Sequence, residues 1–133
     1  MFEEDISPLV IRYLETATTD IDQWIDLLHD DIVIEFPYGE SAGLLPQLSG
    51  KETIKKSTEM FLESVPGIRF NNAVVSPSLN PDEAFATYEV DVKVPSTGRN
   101  YKQRYIAAFT RKDGKIIKMV EYYDPTNFNA AFR

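Results

Sequence analysis

Residues 105–125, YIAAFTRKDGKIIKMVEYYDP, carry the segment from which the architecture follows. Two runs rich in β-branched and aromatic residues flank Arg111-Lys-Asp-Gly-Lys115, which marks an antiparallel hairpin. Strand alternation puts Ile117, Met119, Glu121 and Tyr123 on one face of the second run, with Ile116, Lys118, Val120 and Tyr122 on the other. Glu121 therefore shares its face with apolar neighbours. A three-residue loop with Gly114 in the left-handed conformation creates a bulge and sets Tyr105 opposite Glu121, Ala107 opposite Met119 and Phe109 opposite Ile117. A two-residue Asp-Gly turn would instead pair Ile106 with Glu121 and bring Arg104 near Tyr123. The bulged loop is preferred because it gathers Tyr101, Tyr105, Ala107 and Phe109 with the apolar side of the last strand.

Working outward, further strands are expected over Asp31 to Phe36, Ile68 to Val75, Glu83 to Val94 and Tyr101 to Arg111, with the last over Lys115 to Tyr123. Glu83 to Val94 alternates most clearly, with Tyr88 on its buried face. Three helices precede most of the strands. Ser7-Pro8 reads as an N-cap and first helical position, with Ile6 and Ile11 placed for a hydrophobic staple, and Leu9, Val10, Tyr13, Leu14 and Ala17 form the inward stripe. Thr19 is placed to cap a second helix whose inward residues are Ile21, Trp24, Ile25 and Leu28. Ser49-Gly-Lys-Glu52 reads as a capping box opening a third helix, which Pro66-Gly67 ends. Helices followed by long antiparallel strands give an α+β arrangement, with the helices packed on one face of a curved sheet.

The 133 residues suit one domain with one core, with 43% apolar and 26% charged residues and no composition break. Fourteen Lys and Arg against 21 Asp and Glu leave a net charge of −7, and no basic cluster is large enough to track phosphates, which argues against nucleic acid as a partner. The start MFEEDISP lacks the basic, apolar pattern of a signal peptide, and no segment approaches a bilayer span, so neither export nor membrane insertion is expected and a cytoplasmic location is the default. Without cysteine there is no thiol nucleophile, disulfide or zinc thiolate site. A single histidine, His29, rules out a Ser-His-Asp set and a multi-histidine metal site, and its place after a helix points to a surface role.

The inward Glu121 is the candidate acid or base. Desolvation among Tyr105, Tyr88 and Met119, beneath a first helix bearing Tyr13, would raise its pKa toward the range of about 6 to 7 that suits proton transfer near neutrality. A phenol such as Tyr13 or Tyr105 would donate to a substrate oxygen that gains charge. The alternative is a structural carboxylate paired with Arg104 or Arg69, and core tyrosines with satisfied hydroxyls. Asp124 either caps the tail or assists at the mouth of a cavity. The loop PYGESAGLLPQLSG, with Tyr38, Leu44 and Leu45, and the tail TNFNAAFR, with Phe128 and Phe132, either cover that cavity or pack on their own domain or a second subunit.

The stretches IRYLETATTDIDQWIDLLHDDIVIEFPYGE, LSGKETI and YIAAFTRKDGKIIKMVEYYDP, in this order and spacing, resemble the nuclear transport factor 2-like superfamily and its SnoaL-like branch of polyketide cyclases and phenazine biosynthesis A/B proteins. The resemblance implies a single cystatin-like cone over residues 1–133, a bent antiparallel sheet closed by helices around a pocket, and commonly a homodimer through the outer sheet face. Ketosteroid isomerases of the superfamily carry an aspartate base in a segment similar to Ile32 to Pro37, where this sequence has Phe36. Their buried acid is replaced by Ala107, and only their helix tyrosine is matched, by Tyr13. In the phenazine and cyclase relatives an acid on the last strand serves in the pocket, and Glu121 lies in the similar motif; their histidine has no counterpart here.

These observations combine into one expectation: a small-molecule-binding protein doing cofactor-independent isomerase or cyclase chemistry on an apolar oxygenated substrate. Glu121, Tyr13 and Tyr105 would be catalytic, with Phe36, Tyr38, Phe61, Tyr88, Phe109, Met119 and Tyr123 around the substrate. No metal or cofactor is called for, because only protons move. A non-catalytic ligand or protein-binding module, and an epoxide hydrolase using Glu121, Asp124 and Arg104, are the alternatives.

Overall fold

The alternation of Glu83–Val94 carries through to the structure, where Ala84, Ala86, Tyr88, Val90 and Val94 are buried. A computed structural model describes residues 4–133, so Met1 to Glu3 of the acidic amino-terminal stretch lie outside the described residues. In chain order the elements are α1 (Ser7–Thr16), α2 (Ile21–Asp26), β1 (Leu28–Glu35), a 3-10 turn (Glu40–Ala42), β2 (Gln47–Ser49) and α3 (Lys51–Ser64). They continue with β3 (Asn71–Pro77), β4 (Glu83–Val94), β5 (Arg99–Lys112), β6 (Lys115–Tyr122) and α4 (Pro125–Phe132). The strands form one sheet in the order β2-β1-β6-β5-β4-β3, giving the expected α+β architecture. Register breaks in β1–β6, β3–β4 and β5–β6 bend it.

One pairing departs from the antiparallel expectation: β1 and β6 run parallel. Most of the chain separates them, so no tight turn constrains their direction, and this non-local pairing leaves no turn signature in the sequence.

The hairpin is resolved by two effects that cancel. Lys112 pairs with Lys115, so the turn is the two-residue Asp113-Gly114, with φ of 53° and 75°, instead of the expected three-residue loop. Ile117 then bulges out of β6, because Arg111 faces Ile116 while Thr110 faces Lys118. The pairs beyond are Ala107 with Glu121 and Phe109 with Met119, two residues away from the expected register. An even slip preserves faces, so Tyr105, Ala107, Met119 and Glu121 still share one side. Only Ile116 changes sides: expected outward, it is fully buried.

Helix starts differ from the expected caps. Ser7 opens α1, and its backbone N–H donates to Asp5 Oδ1 at 2.8 Å. Ile6 is buried but Ile11 is exposed, so no staple forms. Asp20, not Thr19, caps α2, accepting from the Gln23 N–H at 3.1 Å. Ser49 is drawn into β2 opposite Val33, so the Ser49–Glu52 capping box does not form and Gly50, at φ 85°, begins α3. His29 lies in β1, and its Nδ1 accepts from the Asp31 N–H.

The tail is a fourth helix. Asp124 caps it, accepting from the Thr126 N–H at 2.8 Å. From α4, Asn129 donates to the Ser41 carbonyl at 3.0 Å and Arg133 to the Ala42 carbonyl at 2.7 Å, so tail and loop clasp each other. Gly43, at φ 73°, leaves the room this clasp needs: a Cβ there would lie 2.1 Å from the Arg133 guanidinium. Among the described residues no helix is long and apolar enough to cross a membrane.

Candidate functional site

Between the sheet and the helices lies a hollow of about 470 Å³. β6 supplies Met119 and Glu121, with Tyr123 just beyond its end; β5 supplies Tyr101 and Tyr105; β1 supplies Ile34, followed by Phe36. Tyr13 of α1, Trp24 of α2, Phe61 of α3 and Phe128 of α4 close it, and Phe70 adds a wall. Leu44, Leu45 and Met60 join the lining while 44%, 66% and 71% exposed, so they form an apolar rim.

Glu121 is brought inward by strand alternation, and the Tyr88 hydroxyl donates to its Oε2. Burial pushes its pKa up to about 7, against the lowering effect of the Tyr88 hydrogen bond. Neither arginine expected as a partner reaches it. Arg104 projects from the outer face onto Glu89 Oε1 at 3.3 Å, and Arg69 donates to the Thr18 and Ile68 carbonyls. Asp124 is occupied in capping α4.

Five tyrosines respond to this carboxylate, Tyr13, Tyr88, Tyr101, Tyr105 and Tyr123, and in three of them it is the second cause after burial. Burial, then the Glu121 charge, raises the Tyr13 and Tyr88 phenols far above the ordinary value, and the same causes push Tyr123 up to about 12. These phenols stay protonated near neutrality, as donors must.

A second polar group sits on β5 at every other residue. Tyr101 and Tyr105 share a hydrogen bond of 2.7 Å, and Gln103 donates to the Tyr101 hydroxyl at 3.3 Å. Gln103 is held in both directions by Asp124, donating to its carbonyl at 2.8 Å and accepting from its N–H at 3.2 Å. A hydrogen bond between two phenols uses one of their two protons, so the other remains available to a ligand.

Of the residues expected at the site, Glu121, Tyr13, Tyr105, Phe36, Phe61, Met119 and Tyr123 line the hollow. Tyr88 supports it from behind, stacked 5.2 Å from Tyr105. Two are placed elsewhere. Phe109 faces Met119, is buried behind Tyr13 with ring centroids 5.0 Å apart, and does not line the hollow. Tyr38 is 50% exposed and packs on Tyr122, on the opposite side of the sheet from Glu121. Trp24, Phe70 and Tyr101 line the hollow without having been expected there, and Gln103 backs Tyr101. Tyr101, Gln103 and Tyr105 recur at the inward spacing of a strand, and a glutamine at such a position was the available signal.

The family model of the SnoaL-like domain matches residues 10–119. An uncharacterized PhzA/B-like protein of Pseudomonas aeruginosa is 30% identical over 86% of this chain and 79% of its own. Among solved structures, a provisionally assigned isomerase from Bacillus subtilis superposes with a TM-score of 0.84 at 24% identity, covering 95% of this chain and 91% of that one. TerC, co-crystallized with polyporic acid, superposes at 0.78 with 18% identity, covering 94% of this chain and 95% of its own. At these identities the structural matches establish the shared fold.

Proposed function

The chain belongs to the SnoaL-like domain family, and from that premise we propose that it binds a small, largely apolar, oxygenated molecule and moves a proton on it. The observation that carries this reading is Glu121: a carboxylate in an apolar hollow, bonded to a phenol and, among the described residues, to no cation, with a pKa raised to about 7. A base poised near neutrality is half ionised there and still strong enough to accept a proton. The neighbour provisionally assigned as an isomerase is in keeping with proton transfer, and the one co-crystallized with polyporic acid with an oxygenated ligand.

In this mechanism Glu121 removes a proton from carbon next to a carbonyl and returns it to another position. Tyr88 holds one carboxylate oxygen, leaving Oε1 for the substrate. Tyr13 and the free proton of the Tyr101–Tyr105 pair donate to substrate oxygens, and Phe36, Phe61 and Phe70 exclude water. Epoxide hydrolysis through paired acids and Arg104 is disfavoured, because Arg104 lies on the outer face with Glu89 and Asp124 is a helix cap. A purely non-catalytic carrier is disfavoured because several donors converge beside an unpaired acid.

The test is deuterium uptake from heavy water into a panel of aryl and β,γ-unsaturated ketones, followed by mass spectrometry. Exchange above buffer that Glu121→Gln abolishes is expected. Exchange equal in wild type and variant would overturn the reading.

The outer face carries Val74, Phe85, Ile106 and Tyr122, all exposed, beside Ala108 and Val120. We propose that two copies pair through this face. Light scattering that gives one dimer mass for the wild type and a monomer for Ile106→Lys is the expected result.

A further inference from the structure

The inner side of α3 breaks its own pattern. Ile54, Thr58, Phe61, Leu62 and Val65 recur at helical spacing, and Ile54 and Val65 at the two ends of this row are fully buried. Thr58 therefore stands where packing favours an apolar side chain, with Ser57 beside it. Both residues line the hollow and both are only partly buried, so a molecule filling the hollow reaches them.

Elsewhere in this chain a hydroxyl on or near a helix is taken up by the backbone. Thr16 donates to the Arg12 carbonyl at 2.7 Å, Thr19 to the Glu15 carbonyl at 2.6 Å and Ser64 to the Phe61 carbonyl at 2.6 Å. Ser57 and Thr58 make no such bond among the described residues. Two groups that can each donate and accept thus border the hollow without a protein partner.

The rest of the lining defines what they would take. Its polar groups gather in two places. Glu121 on β6 stands with Tyr101 and Tyr105 of the neighbouring β5, whereas α3 packs on β1, β2 and α2 and brings the hydroxyl pair from the helical side. Ile34, Phe36, Leu48 and Met119 make other parts of the wall apolar. Glu121 is the one charged residue among the described lining residues, so α3 offers no cation to neutralise a carboxylate and no anion to pair with an amine. Neutral hydroxyls match a neutral oxygen.

We infer that Ser57 and Thr58 form a second polar subsite, which binds a hydroxyl or carbonyl oxygen at the end of the ligand away from Glu121. The ligand class is then apolar molecules that carry two separated, uncharged oxygen functions. The inference rests on the small-molecule reading above and deepens it, without depending on proton transfer.

The experiment is equilibrium dialysis of the full protein against two sets of compounds: biphenyl, 4-phenylphenol and 4,4′-dihydroxybiphenyl, and the shorter naphthalene, 2-naphthol and 2,6-dihydroxynaphthalene. In the wild type the second hydroxyl is expected to tighten binding about fivefold on at least one scaffold. The double variant Ser57→Ala/Thr58→Val, in which valine keeps the shape of Thr58, is expected to lose that gain and to bind the parent hydrocarbon as before. Thr58→Val alone is expected to melt at the wild-type temperature or above it, because valine suits a buried row and no hydrogen bond is lost; a hydroxyl that holds the fold together would lower it. A gain that survives in the double variant, no gain on either scaffold, or a lowered melting temperature for Thr58→Val would overturn the inference and leave the small-molecule reading standing. Failure of the wild type to bind any of these compounds would overturn both.

Discussion

Glu89 and Glu121 lie on neighbouring parts of the same sheet and meet opposite fates. Glu89 points outward, accepts from Asn72 at 3.1 Å and from Arg104 at 3.3 Å, and stands among solvated charges such as Lys102–Asp91. Glu121 points inward and has a phenol as its only hydrogen-bond partner among the described residues. The chemistry of the side chain is the same; the face decides its surroundings. Outside, water screens the charge and the ion pair contributes little. Inside, desolvation opposes ionisation and moves the pKa into the working range of a base.

The largest expected difference is kinetic. Glu121→Gln should lower ketone proton exchange by about 10²- to 10⁴-fold with ligand binding retained, whereas Glu89→Gln should leave the rate unchanged. Equal losses in both variants would break the comparison.

The next difference is in stability. Glu121 keeps its proton in the folded state up to about pH 7 but loses it near 4.5 when unfolded. Between those values the folded protein binds more protons, so this group's contribution falls as pH rises from about 4.5 to about 7 and is level outside that window. Glu121→Gln should therefore be more stable than wild type by about 1–3 kcal/mol at pH 8 and equal to it at pH 4, measured by urea unfolding. An equally stable variant at pH 8 would mean the carboxylate is solvated after all.

Tyr88→Phe removes the hydrogen bond that lowers the Glu121 pKa, so the midpoint of the pH–rate profile should move upward from about 7. A midpoint that stays or falls would assign Tyr88 a packing role alone. The smallest effect belongs to the outer pair. Arg104→Ala should change stability by less than about 1 kcal/mol and leave the pH–rate profile in place.

The inward direction of Glu121 was legible because alternation has period two, and the difference between the expected and observed registers was even. Phe36, Phe61, Met119 and Tyr123 follow from the same periodicity and helix stripes. What periodicity could not show was set by non-local packing. Trp24 reads as an ordinary core residue on a helix stripe, and only the three-dimensional neighbourhood reveals that it lines the hollow edge-on to Tyr13. The parallel β1–β6 pairing left no local trace, and Tyr38 sits outside because the chain turns after Phe36. The cap of α3 failed for a similar reason: sheet pairing claimed Ser49 first.

The bulge at Ile117 gives sequence comparison across relatives a rule. An aligner treats a one-residue gap between Gly114 and Met119 as a minor edit, yet here that residue determines whether every later position of the strand looks inward or outward. A relative lacking it would present a different set of side chains to its interior even if the letters EYYDP were unchanged. Transferring roles by matching letters in this strand therefore requires counting residues from the turn.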